Sequence, residues 1–187
     1  MLLETLDRSL YEGIVYSVLG IIFLMRLEEL IQAPLRNLAL LHCKGIRNMS
    51  VKPSSIQLTT KGNADIQDIT DQVRRAVAES GLQDGIVTVF CPSSTSALTT
   101  IEYESGCLSD LRRLFDEIVD PSRPYQHNAR WGDGNGHSHV RAALLKASLT
   151  VPFVGGRLTL GTWQQIIYVD FDNRSRRREL VVQIIGE

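Results

Sequence analysis

The sequence predicts an α+β fold: a β-sandwich of two sheets with mixed strands and about three flanking helices. Three observations predict it. Short runs that alternate apolar and polar residues, rich in Thr, Val and Ile, recur from residue 55 to the end. Stretches with helical apolar spacing stand among them without following each strand in turn. Turn signals such as Gly155-Gly156 and Asp172-Asn173 call for hairpins. No GxGxxG follows a strand and no GxxxxGK[ST] occurs, so the motifs of doubly wound nucleotide folds are missing.

The elements follow in order. Residues 55–60, SIQLTT, form a strand, and Lys61-Gly62-Asn63 turn the chain into a short second strand over 64–69. Thr70 is the expected N-cap of a helix, Asp71 meets its dipole, Val73, Ala76 and Val77 share its buried face, and Gly81 ends it. Residues 85–91, GIVTVFC, are so continuously apolar that a central strand buried on both faces is expected. Pro92 to Ser96 interrupts it before a strand over 97–103. Over 109–119 the spacing turns helical, with Leu111, Leu114, Phe115 and Ile118 as the buried stripe. A polar, glycine-rich loop spans 125–136. A helix then runs from residue 137 or 138 to 146, with Val140, Ala143 and Leu144 facing inward. The rest is strand and hairpin: 149–154, 157–160, 163–171 and 178–185, the last with Leu180, Val182 and Ile184 on one face.

The 187 residues suffice for one domain plus an extra segment, and 43% apolar with 22% charged residues marks a globular chain. The net charge of −1 gives no global field to draw in nucleic acid or an anionic membrane. Cys43, Cys91 and Cys107 form no CxxC and no even-numbered framework. They read as thiols in a reducing cytoplasm. Residues 1–48 differ from the rest. The run IVYSVLGIIFLM (14–25) falls short of the about 20 residues of a membrane-spanning helix. The segment reads as a helical appendage, a membrane-associating helix, or an extension that the domain starting at Met49 does not need. The third reading explains the ordinary opening MSVKPSS before the first strand, so the domain is expected to span 49–187 and a membrane is not an expected partner.

Chemistry-bearing residues concentrate in one region. Tyr125-x-His127, the run Gly132-Asp133-Gly134-Asn135-Gly136, and His137-Ser138-His139 place three of the four histidines within thirteen residues. Glycines let the backbone approach a ligand closely, and a helix start offers N–H groups to an anion. A phosphate could sit there with His139 and Arg141 nearby. The plain alternative is a surface turn capping a helix through Asn135 or Ser138. Ser93, Ser94 and Thr95 could donate to the same phosphate or simply satisfy the turn after Pro92. Glu102 reads as a general base or as a solvated carboxylate at a strand end. Trp163 reads as packing, and Gln164 and Gln165 point to opposite sides of their strand, one toward the pocket or a neighbouring subunit. Arg174, Arg176, Arg177 and Arg178 read as a solvated hairpin turn.

The stretch SLTVPFVGGRLTLGTWQQI (148–166), together with WGDGNGHSHVRAALL and the ending DFDNRSRRRELVVQIIGE, resembles the YjbQ-like family, identified with secondary thiamine-phosphate synthase. The resemblance covers residues 54–187 and implies two mixed sheets flanked by helices. It also implies a homotrimer around a three-fold axis, and weak joining of a thiazole phosphate to a pyrimidine diphosphate. On its pattern His127 and His139 match family histidines, Glu102 matches a family glutamate, and His137 is particular to a subgroup. Ser93 stands where a third histidine is expected, and Ile101 where an asparagine is expected. The catalytic residues implied are Glu102, His127 and His139. Ser93, Ser94, Thr95, Asn135, Gly136, Ser138 and Arg141 would bind the phosphorylated small molecule. A divalent metal would need His127 and His139 with His137 as third ligand. The alternative function is a non-catalytic trimer that binds a phosphorylated metabolite or a metal.

Overall fold

Alternation builds most of this molecule, and it puts the strands into two antiparallel sheets. The computed structural model describes residues 48–187, of which 49–187 form one unit; the readings of the N-terminal segment and of Cys43 lie outside the described residues. The elements are β1 (Ser50–Thr60), β2 (Asp65–Asp68), α1 (Thr70–Ser80), β3 (Gly85–Phe90), β4 (Ser96–Ile101), α2 (Ser105–Ile118), α3 (Gln126–Trp131), α4 (Gly136–Leu145), β5 (Ser148–Val154), β6 (Arg157–Leu158), β7 (Gln165–Asp170) and β8 (Arg176–Gly186). One sheet has the order β1-β8-β3-β5-β6 and the other β2-β7-β4. The α+β class is as the sequence predicts. The pairings described are all antiparallel rather than mixed; of consecutive strands only β5 and β6 pair as a hairpin, whereas the expected Asp172-Asn173 hairpin instead carries the chain from β7 in one sheet to β8 in the other. The fourth helix, α3, lies inside the loop expected over 125–136.

Two apolar layers hold the fold. The first lies between the sheets, where Ile56, Leu58, Val87, Val89, Phe153, Leu180, Val182 and Ile184 meet Ile166, Tyr168 and the α1 residues Val73, Ala76 and Val77. The second packs the other face of the small sheet, through Ile66, Ala97, Ile167 and Val169, against Phe115 of α2 and Ala142 of α4. The strand buried on both faces is therefore β7, in which residues 166–170 are all buried. β3 is central in its sheet but buried on one face, leaving Ile86 and Phe90 exposed at 40% and 44%.

Local chemistry explains the element ends. Thr70 is the first residue of α1 rather than its cap, and its N–H and hydroxyl donate to Asp68 at 2.8 and 2.5 Å. α2 starts four residues before the expected position because the Glu104 carboxylate caps it, accepting from Gly106 N and Cys107 N. Those two N–H groups hold the Glu104 carboxyl below its ordinary range. Of the stripe expected on α2, Phe115 is buried, whereas Leu114 and Ile118 stay exposed. α4 is turned further. Its buried face carries Gly136, His137, Ser138, Arg141 and Ala142, while Val140, Ala143 and Leu144 point outward. Trp163 is 71% exposed in the turn before β7 and does not pack in the core. Cys91 is buried beside Ser96, and burial pushes its thiol up. Cys107 is half-buried, and both thiols are unpaired by disulfides. Among the described residues no helix is long and apolar enough to cross a membrane.

Candidate functional site

At one end of the sandwich the chain gathers the start of β4, the end of β7, the start of β8 and the α3–α4 loop. A cavity of about 550 Å³ opens there, lined by the Pro92–Thr95 loop, by His127, Trp131, Asp133, Asn135 and His139, and by Asp172, Arg176 and Arg178. α3 ends at Gly132, whose φ of 72° lets the chain reverse toward Asp133. Asn173 Nδ2 ties this loop to the β7–β8 turn by donating to Asp133 O at 2.7 Å. Gly136 allows a close approach, since a Cβ there would lie 2.6 Å from Tyr125 Cβ. Its N–H donates to Asn128 Oδ1 at 2.7 Å.

The imidazoles of His127 and His139 face each other with centroids 4.4 Å apart and planes tilted by 52°. His127 Nε2 lies 3.3 Å from Asp133 Oδ2. With its amide nitrogen turned toward them, Asn135 donates at 3.1 Å to His127 Nε2 and to both Asp133 oxygens. These contacts need opposite states of Nε2, which accepts from Asn135 when bare and donates to Asp133 when protonated. Burial lowers the His139 pKa below the ordinary 6.5 and the charge of His127 adds to this, while Asp133, Asp172 and the Ser94 backbone pull the other way.

Behind the histidines lies a sealed ionic network. Arg178 Nε and Nη2 donate to the two oxygens of Asp170 at 2.8 and 2.9 Å, and Asp170 also accepts from Thr60 Oγ1 at 2.6 Å. Arg176 Nε donates to Asp172 Oδ2 at 2.8 Å, and Thr95 Oγ1 donates to the same oxygen at 3.1 Å. Arg178 Nη2 donates to Thr95 Oγ1 at 3.0 Å. The Asp172 carboxylate is 2% exposed, and its Oδ1 has no partner. The lining thus holds two carboxylates, Asp133 and Asp172, against two guanidiniums, Arg176 and Arg178. Asp170, which neutralises Arg178, brings the carboxylates to three, so with neutral imidazoles the site is net negative and only protonation of both His127 and His139 would make it cationic.

The structure sorts the expected residues. Ser93, Ser94, Thr95, His127, Asn135 and His139 line one cavity. Arg141 does not reach it: its side chain is 4% exposed and donates to Val119 O and to Asp116, tying α4 to the end of α2. His137 and Ser138 are turned into the fold, where the His137 ring lies tilted beside Tyr125 with centroids 6.1 Å apart and its Nε2 lies 3.4 Å from Ser138 Oγ. Gly136 and Ser138 have their N–H groups taken by Asn128 and Asn135, so the α4 start is capped rather than open to an anion. Glu102 follows the far end of β4, exposed and outside the cavity lining. Gln164 and Gln165 bond to Thr100 and to the Tyr103 N–H and do not line it either. Trp131, Asp172, Arg176 and Arg178 also line it without a site role in the sequence reading, and there Asp133 stands in its glycine run with no role of its own. A signal for the arginines was present: carrying the alternation of Leu180, Val182 and Ile184 back along β8 lands on 178 and 176.

The metal set does not fit. Among the described residues no group of three His, Cys, Asp or Glu side chains is placed to hold an ion, and His137, needed as third ligand, turns away.

Comparison with known proteins agrees with this architecture. A sequence profile described as "UPF0047 protein YjbQ-like" matches residues 54–187. A UPF0047 protein of Methanothermobacter thermautotrophicus is 38% identical over 139 residues, covering 74% of this chain and 95% of the relative. YugU of Bacillus subtilis is 31% identical over 134 residues, covering 71% and 98%. The crystal structure of a YbjQ-like protein of unknown function from Sulfolobus solfataricus superposes with a TM-score of 0.71 at 36% identity, covering 75% of this chain and all of that one. An uncharacterized YjbQ/UPF0047 protein from Clostridium acetobutylicum superposes with a TM-score of 0.65 at 33% identity, covering 70% and 98%. By sequence and by fold, this chain belongs to the YjbQ-like family.

Proposed function

We propose that this protein joins a thiazole phosphate to a pyrimidine diphosphate, as a secondary thiamine-phosphate synthase of low activity in the cytoplasm. The observation that carries the reading is the facing pair His127–His139 over a cavity with the Ser93–Thr95 loop and Arg176 in its walls. In this reaction the bond from the pyrimidine methylene carbon to the diphosphate oxygen breaks, and the bond from the thiazole nitrogen to that carbon forms. The departing diphosphate takes the electron pair, so stabilising it is the main task. Protonated His127 and His139 would donate to its oxygens, with the hydroxyls of Ser93 and Ser94 and the half-exposed Arg176 beside them. Asp133 and Asn135 hold the His127 ring in place. Glu102 has no part in this scheme within one chain. The test is formation of thiamine phosphate from the two precursors. Product above that of His139→Ala supports the reading, and none above that control removes it.

A non-catalytic role, binding a phosphorylated metabolite, is favoured by the placement of Glu102 outside the cavity and by Ser93 at the position of the third family histidine. Thermal shifts with phosphate but no turnover would select it.

The homotrimer belongs to the same proposal. The outer face of the large sheet carries a registered apolar row, Val51, Ile185, Ile86 and Pro152, and further along the pair Val181 and Phe90. Val51, Ile86, Phe90 and Val181 are 40–54% exposed in the single chain. Such a face is expected to be covered by copies of the chain. Sedimentation should give three chains, and Phe90→Lys should lower that number.

A further inference from the structure

A second hollow adjoins the cavity. It measures about 410 Å³ and is lined by Ser93, Ser94, Ser96, His139, Ala142, Ala143, Lys146 and Ala147. Ser93, Ser94 and His139 belong to both spaces, so they form a common wall. Beyond that wall the two differ in character. The first is walled by carboxylates, guanidiniums and imidazoles. The second is lined chiefly by apolar surface, with Ala142, Ala143 and Ala147 beside the serines and Lys146.

Backbone bonds fix the hollow. Lys146 N donates to Ala142 O at 3.1 Å, Leu98 N donates to Lys146 O at 3.1 Å, and Cys91 N donates to Ala147 O at 2.8 Å. Lys146 sits at φ 87°, ψ 158°, a backbone region that side chains other than glycine rarely adopt. This unusual bend turns the chain from α4 into β5 and brings Ala147 beside the serine loop.

We infer that this hollow is a second subsite, which takes the flat, uncharged ring of a ligand whose anionic group lies in the cavity between His127 and His139. The alanine walls offer apolar contact without filling the space, and the shared imidazole and serines sit where ring and anionic group join. The inference deepens the proposed reaction, and it rests on that reading for the position of the anion. It assigns the hollow to the aromatic ring of a phosphorylated substrate. Burying one such ring favours an aryl phosphate over bare phosphate by about tenfold or more.

Calorimetric titration with phenyl phosphate and with inorganic phosphate at one pH tests it. The wild-type chain should bind phenyl phosphate at least about tenfold more tightly. Ala143→Trp, placed on the exposed side of α4, should abolish that preference and leave inorganic phosphate affinity unchanged. Ala147→Leu provides a second filling variant, and unchanged thermal melting of either shows that the fold is kept. Equal affinities in the wild type, no binding of either probe, or a preference that survives both filling variants overturns the subsite. Thiamine phosphate formation is scored separately. Turnover without a ring preference sinks the subsite alone, whereas a ring preference without turnover supports the subsite and sinks the synthase reading alone.

Discussion

Two clusters of paired charges lie within one end of this sandwich, and they are built differently. Around Asp170 and Arg178 both carboxylate oxygens are bonded, Asp170 is wholly buried, and Thr60 and Thr95 join the network. Around His127 and His139 the partners are partly exposed, one ring nitrogen has two competing contacts, and the rings face open space. The difference separates structure from chemistry. The first cluster has one low-energy arrangement and fixes where β1 and β7 end and where β8 begins. The second keeps donors and acceptors whose state depends on pH and ligand, as a binding site requires.

The largest effect should come from the sealed cluster. Arg178→Ala leaves Asp170 buried and uncompensated, which should cost about 3–5 kcal/mol in chemical unfolding. A loss below about 1 kcal/mol would show that the network is not closed in solution. Next comes the joint between the clusters. Gly136→Ala puts a methyl against Tyr125, and overpacking of this kind costs about 1–3 kcal/mol. Since Gly136 positions the loop through Asn128, phosphate affinity should fall with it. In the open cluster the sign of the trade reverses. His139→Ala should change stability by about 0.5 kcal/mol or less yet lower turnover by about a hundredfold. A variant that melts early and still turns over would put His139 in the structural class.

The smallest effect concerns pH. His137 and His139 both have pKa values below 6.5, chiefly because burial disfavours the charged ring, with Arg141 adding to this for His137. The unfolded chain therefore binds more protons below its own histidine pKa. The stability these rings provide is present above about pH 6.5 and is lost as pH falls toward their folded values. Melting temperature should drop on acidification, and His137→Gln should flatten part of the drop. A melting temperature that rises on acidification would contradict the assignment.

How much of this was legible in the sequence depended on which residues carried the pattern. The sandwich showed because β1, β5 and β8 alternate apolar and polar residues in the ordinary way, and the cavity was half visible because His127, His139 and the serine loop stand in short motifs. The buried face of α4 was not legible. Its apolar residues Val140 and Leu144 are the exposed ones, while Arg141 and His137 are buried, Arg141 against the Val119 carbonyl and the Asp116 carboxylate and His137 beside Tyr125. Hydrophobic periodicity cannot register a polar residue that is buried with its partners. The same blindness hid Arg176 and Arg178. Read by charge they belong to a solvated turn; read by strand parity they belong to the inside. Glu102 stands beyond the other end of β4 in the single chain, a placement that a residue-type match does not give.

The central claim is that His127 and His139 together hold an anion when protonated. Sulfate is the sharpest probe, because it does not titrate where histidine does. Calorimetry should show its affinity rising at least about tenfold from about pH 7.5 to about pH 5.5, with the rise lost in both His127→Ala and His139→Ala. Affinity independent of pH, or a rise that persists in both variants, would contradict it.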